Sequence, residues 1–526
     1  MTVLNQQPKV SHIIRHGTLT FAFLFGCGFV TRAFSQEPPS EFVPAFVETS
    51  CSIPDDIPIR QRFRCGTVAV PAKPMDPSGG AYRLRVAIIA SARQPARPDA
   101  IVVLSGGPGG SLIPRAPTTG GQSRLAPPSA SPQVNPVSGR APPWVAFAGE
   151  RDVVMIDPRG VGESEPHVCG GAAGSATVDL FGPRRTRTEL IKVFRDRWRE
   201  CLEEARARGL SPEGFGSIVD ADDVERVRTA LGYAPWTAIA PSYGAMTAFS
   251  LVSRHPEGLR ALVLESAALG PLSRLTRAQG WRRAWYTLLA SCTGDPVCAQ
   301  EYPNLDDDLN AALERLERAP LAVPIPGGLL PDVDTVQLDS GDFDVLIFRA
   351  LYVKDEAAAV PALIRAVNED RGEAWTTTVV RALTGYGGQS SFVEAMTLCR
   401  DATAEMRAAV LPTGAWEMDL AEVAGFCPDW IPSTPAPLVP EGSSTPALVL
   451  AGALDPTTPP ANGRWAAAAI GAAARYVEIP SVGHGTLRQS PCARQIIADF
   501  IVDPAATLDT SCVTNEPPID FTVEGD

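Results

Sequence analysis

Along this chain, short runs of apolar residues alternate with longer stretches in which apolar and charged positions mix at helical spacing. The runs Ala100-Ile-Val-Val-Leu104, Val153-Val-Met-Ile156, Trp236-Thr-Ala-Ile-Ala240 and Pro446-Ala-Leu-Val-Leu-Ala-Gly452 are almost uninterrupted by polar residues. Runs of this length read as strands buried on both faces, the kind that fill parallel sheets. Leu259 to Leu264 and Arg475 to Ile479 read as two more strands, and Cys65 to Val70 and Tyr82 to Ala90 as early ones. Between them, Asp220 to Gly232 carries acidic residues in its first turn and a glycine at its end, the signals of a capped helix. Ala245 to Ser253 and Asn462 to about Ala474 also read as helices. Strand and helix in alternation predict an α/β protein, with a mostly parallel central sheet and helices on both faces.

The alternation breaks after about residue 270. Helical patterns such as Leu305 to Glu317 and Ala357 to Asp370 follow one another without strands between them. The stretch 271–435 therefore reads as an inserted helical cap, dividing the sheet-bearing core into 36–270 and 436–526. A second insertion, 112–143, is rich in Pro, Ser, Gly and Ala. That composition predicts irregular loop, either a flexible surface segment or a lid over a site.

Residues 1–35 read as an export signal. Lys9 and Arg15 form a basic region, Gly17 to Val30 an apolar core, and Ala33-Phe-Ser35 a small-x-small cleavage site. Lipidation at Cys27 is an alternative, as is a short uncleaved anchor. The expected location is periplasmic or extracellular. Beyond the signal lie Cys51, Cys65, Cys169, Cys201, Cys292, Cys298, Cys399, Cys427, Cys492 and Cys512. An even number in an exported chain points to disulfides, and pairing of sequential neighbours is expected. No Cys-x-x-Cys pair and only five histidines are present, so no metal site is expected. A formal net charge of −13 argues against nucleic acid or an anionic membrane surface as partner.

The strand ending at Ala240 runs into Pro241-Ser242-Tyr-Gly244 and then into a helix. A serine flanked two places away on each side by a small residue, at a strand-to-helix junction, is the pattern of a nucleophile elbow. The tight turn lifts the hydroxyl out of the backbone beside a helix N-terminus, where negative charge is favoured. A serine nucleophile needs a base, and the base needs an orienting carboxylate. Of the histidines, His12 and His16 lie in the signal, His255 caps the helix after Ser242, and His167 reads as structural. His484, between glycines and just after a strand, is the candidate base. Asp455, at the turn after the strand Pro446 to Gly452, is the candidate carboxylate. The strand Ala100 to Leu104 opens into Ser105-Gly-Gly-Pro-Gly-Gly110, where glycines let backbone N–H groups approach a developing oxyanion. The donors expected are Gly106 or Gly107 and Tyr243. Asp157 and Arg159, in the turn after Ile156, read as an ion pair that fixes their loop.

With Gly106-Gly-Pro-Gly109, Asp157-Pro-Arg-Gly-Val-Gly-Glu-Ser164, Ser242-Tyr-Gly244, Asp455 and Gly483-His-Gly485 in place, the chain resembles the prolyl iminopeptidase and secreted tripeptidyl aminopeptidase branch of the α/β-hydrolases. The resemblance spans roughly residues 45–512 and includes Cys492 to Phe500. It implies the α/β-hydrolase fold with an inserted cap, the Ser242, Asp455 and His484 triad, and no cofactor. It also implies aminopeptidase activity on small peptides with free N-termini, with ester or lactone hydrolysis as the alternative. Two positions depart from the branch: Ser105 stands where histidine is usual, and Glu265-Ser follows a strand where Asp-Gly is usual.

Overall fold

The computed structural model describes residues 43–54, 57, 59–74, 76–114, 142–169, 187–269, 271–330, 333–384, 390–403, 427–434 and 443–523. The expected export signal and nearly all of the 112–143 insertion lie outside them.

A nine-stranded sheet forms the centre. Its strands are β1 (Phe46–Thr49), β2 (Phe63–Lys73), β3 (Asp76–Ile89), β4 (Ile101–Val103), β5 (Val153–Ile156), β6 (Trp236–Pro241), β7 (Leu259–Glu265), β10 (Ala447–Gly452) and β11 (Ala474–Ile479). Their order is β1-β2-β3-β5-β4-β6-β7-β10-β11. From β5 to β11 every pairing is parallel, while β1, β2 and β3 are joined antiparallel at one edge. This is the mostly parallel α/β sheet that the apolar runs anticipated, and the α/β-hydrolase fold that the resemblance implies.

Successive side chains of a strand point to opposite faces, and both faces here are covered. Val102, Leu104, Val154, Ala238 and Val449 face helices Ser217–Leu231, Gly244–Arg254 and Pro460–Ile470. Their chain neighbours Ile101, Val103, Val153, Ile239 and Leu448 face helix Pro491–Val502 and Trp144. Burial on both sides explains why these strands are apolar throughout rather than alternating. Helix Ser217–Leu231 ends at Gly232 with φ 72°, the left-handed closure that the glycine signalled.

The segment after 270 has a core of its own. Trp281, Trp285, Leu288, Leu316, Phe343, Ile347, Ile364 and Trp375 pack together, joined by Ile519 from the C-terminal tail. The segment's described residues form helices and one two-stranded antiparallel sheet, β8 (Leu321–Pro324) with β9 (Thr335–Leu338). The tail is tied down at Thr522, whose N–H donates to Ala358 O and whose carbonyl accepts from the Tyr302 hydroxyl. A further cluster joins Trp198 and Leu202 of helix Arg187–Ala207 to Phe392 and Met396 of helix Ser391–Asp401.

All five neighbouring cysteine pairs are bonded: Cys51–Cys65, Cys169–Cys201, Cys292–Cys298, Cys399–Cys427 and Cys492–Cys512. No described helix is long and apolar enough to cross a membrane.

The expected Asp157–Arg159 pair is corrected. The Arg159 fork closes on Asp223, with Nε to Oδ2 at 2.6 Å and Nη2 to Oδ1 at 2.9 Å, and its Nη1 donates to Ala72 O and Gly214 O. Asp157 accepts instead from Ser111 Oγ (2.9 Å) and Leu112 N–H (2.8 Å). Adjacent turn positions face different neighbours, so the two charges anchor the loop to separate elements: Arg159 to helix Ser217–Leu231, and Asp157 to the chain leaving the glycine-rich loop.

Candidate active site

Four loops converge at the C-terminal ends of parallel strands, the edge where ligands bind in open α/β sheets. Ser242 leaves β6 with φ 53°, a left-handed conformation that is unusual for a residue with a Cβ. The turn is pinned on both sides: Ser242 N–H donates to Glu265 O at 2.8 Å, and Ser242 O accepts from Ala245 and Ala268 N–H. The small flanking residues have a steric cause. A Cβ at Gly244 would lie 3.3 Å from Leu104 Cβ, Leu104 O and Ser105 O, and Ala240 is fully buried.

Asp455 follows β10 and has no solvent exposure. Its Oδ1 accepts from Thr457 N–H (2.9 Å) and Thr458 N–H (2.8 Å). Its Oδ2 accepts from Thr458 Oγ1 (2.6 Å) and lies 2.9 Å from His484 Nδ1. Burial opposes ionisation of this carboxyl, but the neighbouring imidazole and the hydrogen bonds from His484 and Thr458 outweigh it and hold it below the ordinary aspartate range. A proton on Nδ1 directed at Asp455 leaves Nε2 as the basic nitrogen.

The loop that carries His484 is held from several sides. Glu265, buried at the end of β7, accepts from Leu487 N–H and Thr486 Oγ1, and Ser266 Oγ accepts from Gly485 N–H. Gln489 Nε2 donates to His484 O and Tyr352 O, while the Tyr352 ring lies 5.1 Å from the imidazole. A Cβ at Gly483 would come within 2.4 Å of Leu351 O and Tyr352 O, so only glycine permits this approach. The inserted segment thus touches the candidate base directly.

Ser105 begins the glycine-rich loop. Its hydroxyl donates to Gly110 O, and Gly110 N–H returns to Gly106 O at 3.1 Å, closing the loop on itself. Among the described residues, no hydrogen bond takes up the amides of Gly106, Gly107 or Tyr243.

Sequence reasoning named Ser242, Asp455, His484 and these three amides. It missed Thr458, which touches both members of the Asp–His pair, although a threonine three places after Asp-Pro is a recognisable Asx-turn signal. It also missed Glu265 and Ser266 as supports, and Tyr352 and Gln489, for which no local signal exists. His255 does cap helix Gly244–Arg254, and its Nε2 lies 2.8 Å from Asp222 Oδ1. His167 is exposed, and its carbonyl accepts from Arg208. No group of His, Cys, Asp or Glu able to hold a metal occurs among the described residues.

A cavity lies beneath the loop, lined by Leu104, Pro108, Tyr243, Val393 and the carboxyls of Asp220 and Asp223. Loss of water around Asp220, then repulsion from Asp223 and Asp401, pushes its carboxyl up to about 8. A carboxyl raised on folding contributes stability that is complete below its unfolded value and lost as pH rises through the folded one. The thermal midpoint is therefore expected to fall between pH 5 and pH 8. Asp220→Asn, which copies the neutral form, is expected to flatten that fall and raise the midpoint at pH 8. Scanning calorimetry across this range checks it, and an unchanged slope in the variant would contradict the assignment.

The comparisons agree with the fold. Residues 99–294 match the family described as the alpha/beta hydrolase fold, and residues 413–512 match the one described as TAP-like protein. YuaR of Escherichia coli strain K12, described as a hydrolase, is 22% identical over 491 residues, covering 85% of this chain and 87% of its own. Carboxylesterase B of Mycobacterium tuberculosis strain H37Rv is 25% identical over 45% of this chain and 42% of its own. The tripeptidyl aminopeptidase of Streptomyces lividans is 26% identical over 39% of this chain and 35% of its own. For these last two, the match spans less than half of the relative's length. The chain has the α/β-hydrolase fold, and its C-terminal part is similar to the TAP-like family. It is a hydrolase whose relatives include both peptidases and esterases.

Proposed function

We propose that this protein is an exported serine hydrolase that releases residues or short peptides from free N-termini through an acyl-enzyme. The reading rests on one arrangement: a buried Asp455 bonded to a partly exposed His484, a serine elbow with positive φ at the same end of the parallel strands, and amides of Gly106, Gly107 and Tyr243 that no described hydrogen bond takes up. His484 Nε2 takes the proton of Ser242 as Oγ attacks the scissile carbonyl. Asp455 steadies the imidazolium that forms. The amides of Tyr243 and of Gly106 or Gly107 receive the oxyanion. His484 then protonates the leaving amine, and a water deprotonated by the same imidazole releases the acyl group. The substrate is a small peptide; no nucleic acid, metal or cofactor has a role. The five disulfides accord with export to an oxidising compartment.

A second reading, hydrolysis of a small apolar ester or lactone, is favoured by the charges of the inserted segment. Release from a free N-terminus calls for a carboxylate to meet the α-ammonium group. Yet Glu301 is paired with Arg365, Glu356 with Arg381, and Asp306 accepts from Trp285 Nε1. The similarity to a carboxylesterase points the same way.

A side-by-side panel decides between them. Tripeptide and aminoacyl anilides, with free and blocked N-termini, are compared with short-chain aryl esters and lactones on the oxidised mature protein. Cleavage of anilides only when the amine is free is the expected result. Ester or lactone turnover without anilide cleavage would replace the peptidase reading with the second one.

A further inference from the structure

Helix Ser391–Asp401, on the inserted side of the molecule, touches both halves of the proposed oxyanion site. At its start, Ser390 N–H donates to Gly109 O at 2.9 Å, and a Cβ on Gly109 would sit 2.8 Å from Ser390 O. At its end, Asp401 Oδ2 accepts from Tyr243 Oη at 2.7 Å, while Oδ1 lies 3.3 Å from Ser217 Oγ. Tyr243 and Asp401 are both buried. The glycine-rich loop and the residue after Ser242 are thus held by opposite ends of one rigid element. A cavity lies alongside these contacts. It is lined by Ser105, Pro108 and Gly109 of the loop, by Tyr243, and by Val393 and Thr397 of the helix. The helix is itself fastened to the chain beyond it by the Cys399–Cys427 disulfide, by Thr434 N–H to Arg400 O, and by Arg400 Nη1 to Pro432 O.

We infer that Asp401 is a positioning residue for the reaction: through the Tyr243 phenol it steadies the residue whose amide is one of the two proposed oxyanion donors, adding to the main-chain bonds at Ser242 O that hold the same peptide plane. The inference rests on the serine-hydrolase reading given above. Asp401 touches neither substrate nor the reacting atoms. Its carboxylate fixes the side chain whose own main-chain N–H must meet a charge that exists only in the transition state. Loss of that restraint slows the chemical step and leaves ground-state binding alone.

The test uses the full oxidised protein and whichever panel substrate it turns over, with Tyr243→Phe, Asp401→Ala, Asp401→Asn and the double variant Tyr243→Phe/Asp401→Ala. Tyr243→Phe removes only the phenol hydroxyl and keeps the packing, so it decides the matter even where Asp401→Ala does not fold. The expected result is a kcat lowered roughly 10- to 100-fold in Tyr243→Phe and Asp401→Ala with KM unchanged, less than the 100- to 1000-fold of losing a donor outright. Asn keeps an acceptor for the phenol, so Asp401→Asn is expected to recover most of the rate. The double variant should be no slower than the slower single one, because both remove the same bond. A kcat within about threefold of the parent in Tyr243→Phe, an effect confined to KM, or an additive double variant would overturn the inference. Equal loss in Asp401→Asn and Asp401→Ala would also overturn it. Ser242→Ala serves as the separate control. If that variant remains active, the serine-hydrolase reading itself fails; if it is inactive while these four behave as the parent, only the role of Asp401 fails.

Discussion

Ser242→Ala is expected to lower kcat by about a millionfold, to the level left by binding and the oxyanion site alone. The magnitude follows from the chemistry assigned to the hydroxyl. Without Oγ no acyl-enzyme forms, and the remaining route needs a water placed where no side chain has been arranged to hold it. The fold is expected to survive. The turn is pinned by main-chain bonds, Ser242 N–H to Glu265 O and Ala268 N–H to Ser242 O, which alanine keeps. The positive φ at 242 strains alanine as it strains serine. Turnover of the best panel substrate, with calorimetry to show an unchanged thermal midpoint, checks this. More than about one part in a thousand of the parent rate in the folded variant would rule out Ser242 as nucleophile.

Asp455→Asn is expected to cost about 10,000-fold in kcat, comparable to the same exchange in other triads. The amide is nearly isosteric but cannot satisfy its surroundings in either orientation. The carboxylate accepts from two main-chain N–H groups at Oδ1, and from Thr458 Oγ1 with His484 Nδ1 beside it at Oδ2. If the amide nitrogen faces His484, it turns the imidazole to the tautomer that presents Nε2–H to the serine. If it faces Thr457 and Thr458, two donors meet a third. The buried site also loses charge-assisted bonds, so a lower thermal midpoint accompanies the lower rate. Activity within tenfold of the parent would exclude Asp455 as the orienting group. The parent should also lose stability in acid: a carboxyl held below its ordinary value contributes stability above the unfolded pKa, and that contribution goes as pH falls through the folded one.

Much of the architecture was legible because the physics was local. A strand buried on both faces must be apolar at every position, and β4, β5, β6 and β10 were visible as such. A left-handed turn at a helix end asks for glycine, and Gly232 marked it. The elbow showed itself through Ala240 and Gly244, and the close approach of Leu104 and Ser105 now explains the smallness of Gly244. The strands β8 and β9 went unread because each is four residues long and exposed on one side, too short for period-two alternation to stand out among helical patterns.

The sequence by itself determined the class of fold and the chain order of serine, aspartate and histidine; it gave neighbouring pairs of cysteines only as an expectation, which the structure bears out. Each of these rests on local patterns, every one of them contained in a short stretch of chain, and on the order in which those stretches follow one another. Only the tertiary structure decided which groups hold the candidate site in place. Arg159 reaches Asp223 rather than Asp157 because a turn sends neighbouring side chains to different elements. Asp401 meets Tyr243, and Tyr352 meets His484, across 158 and roughly 130 positions of chain. Such contacts leave no periodicity or spacing behind them, because burial against a partner constrains a residue in space and not in sequence.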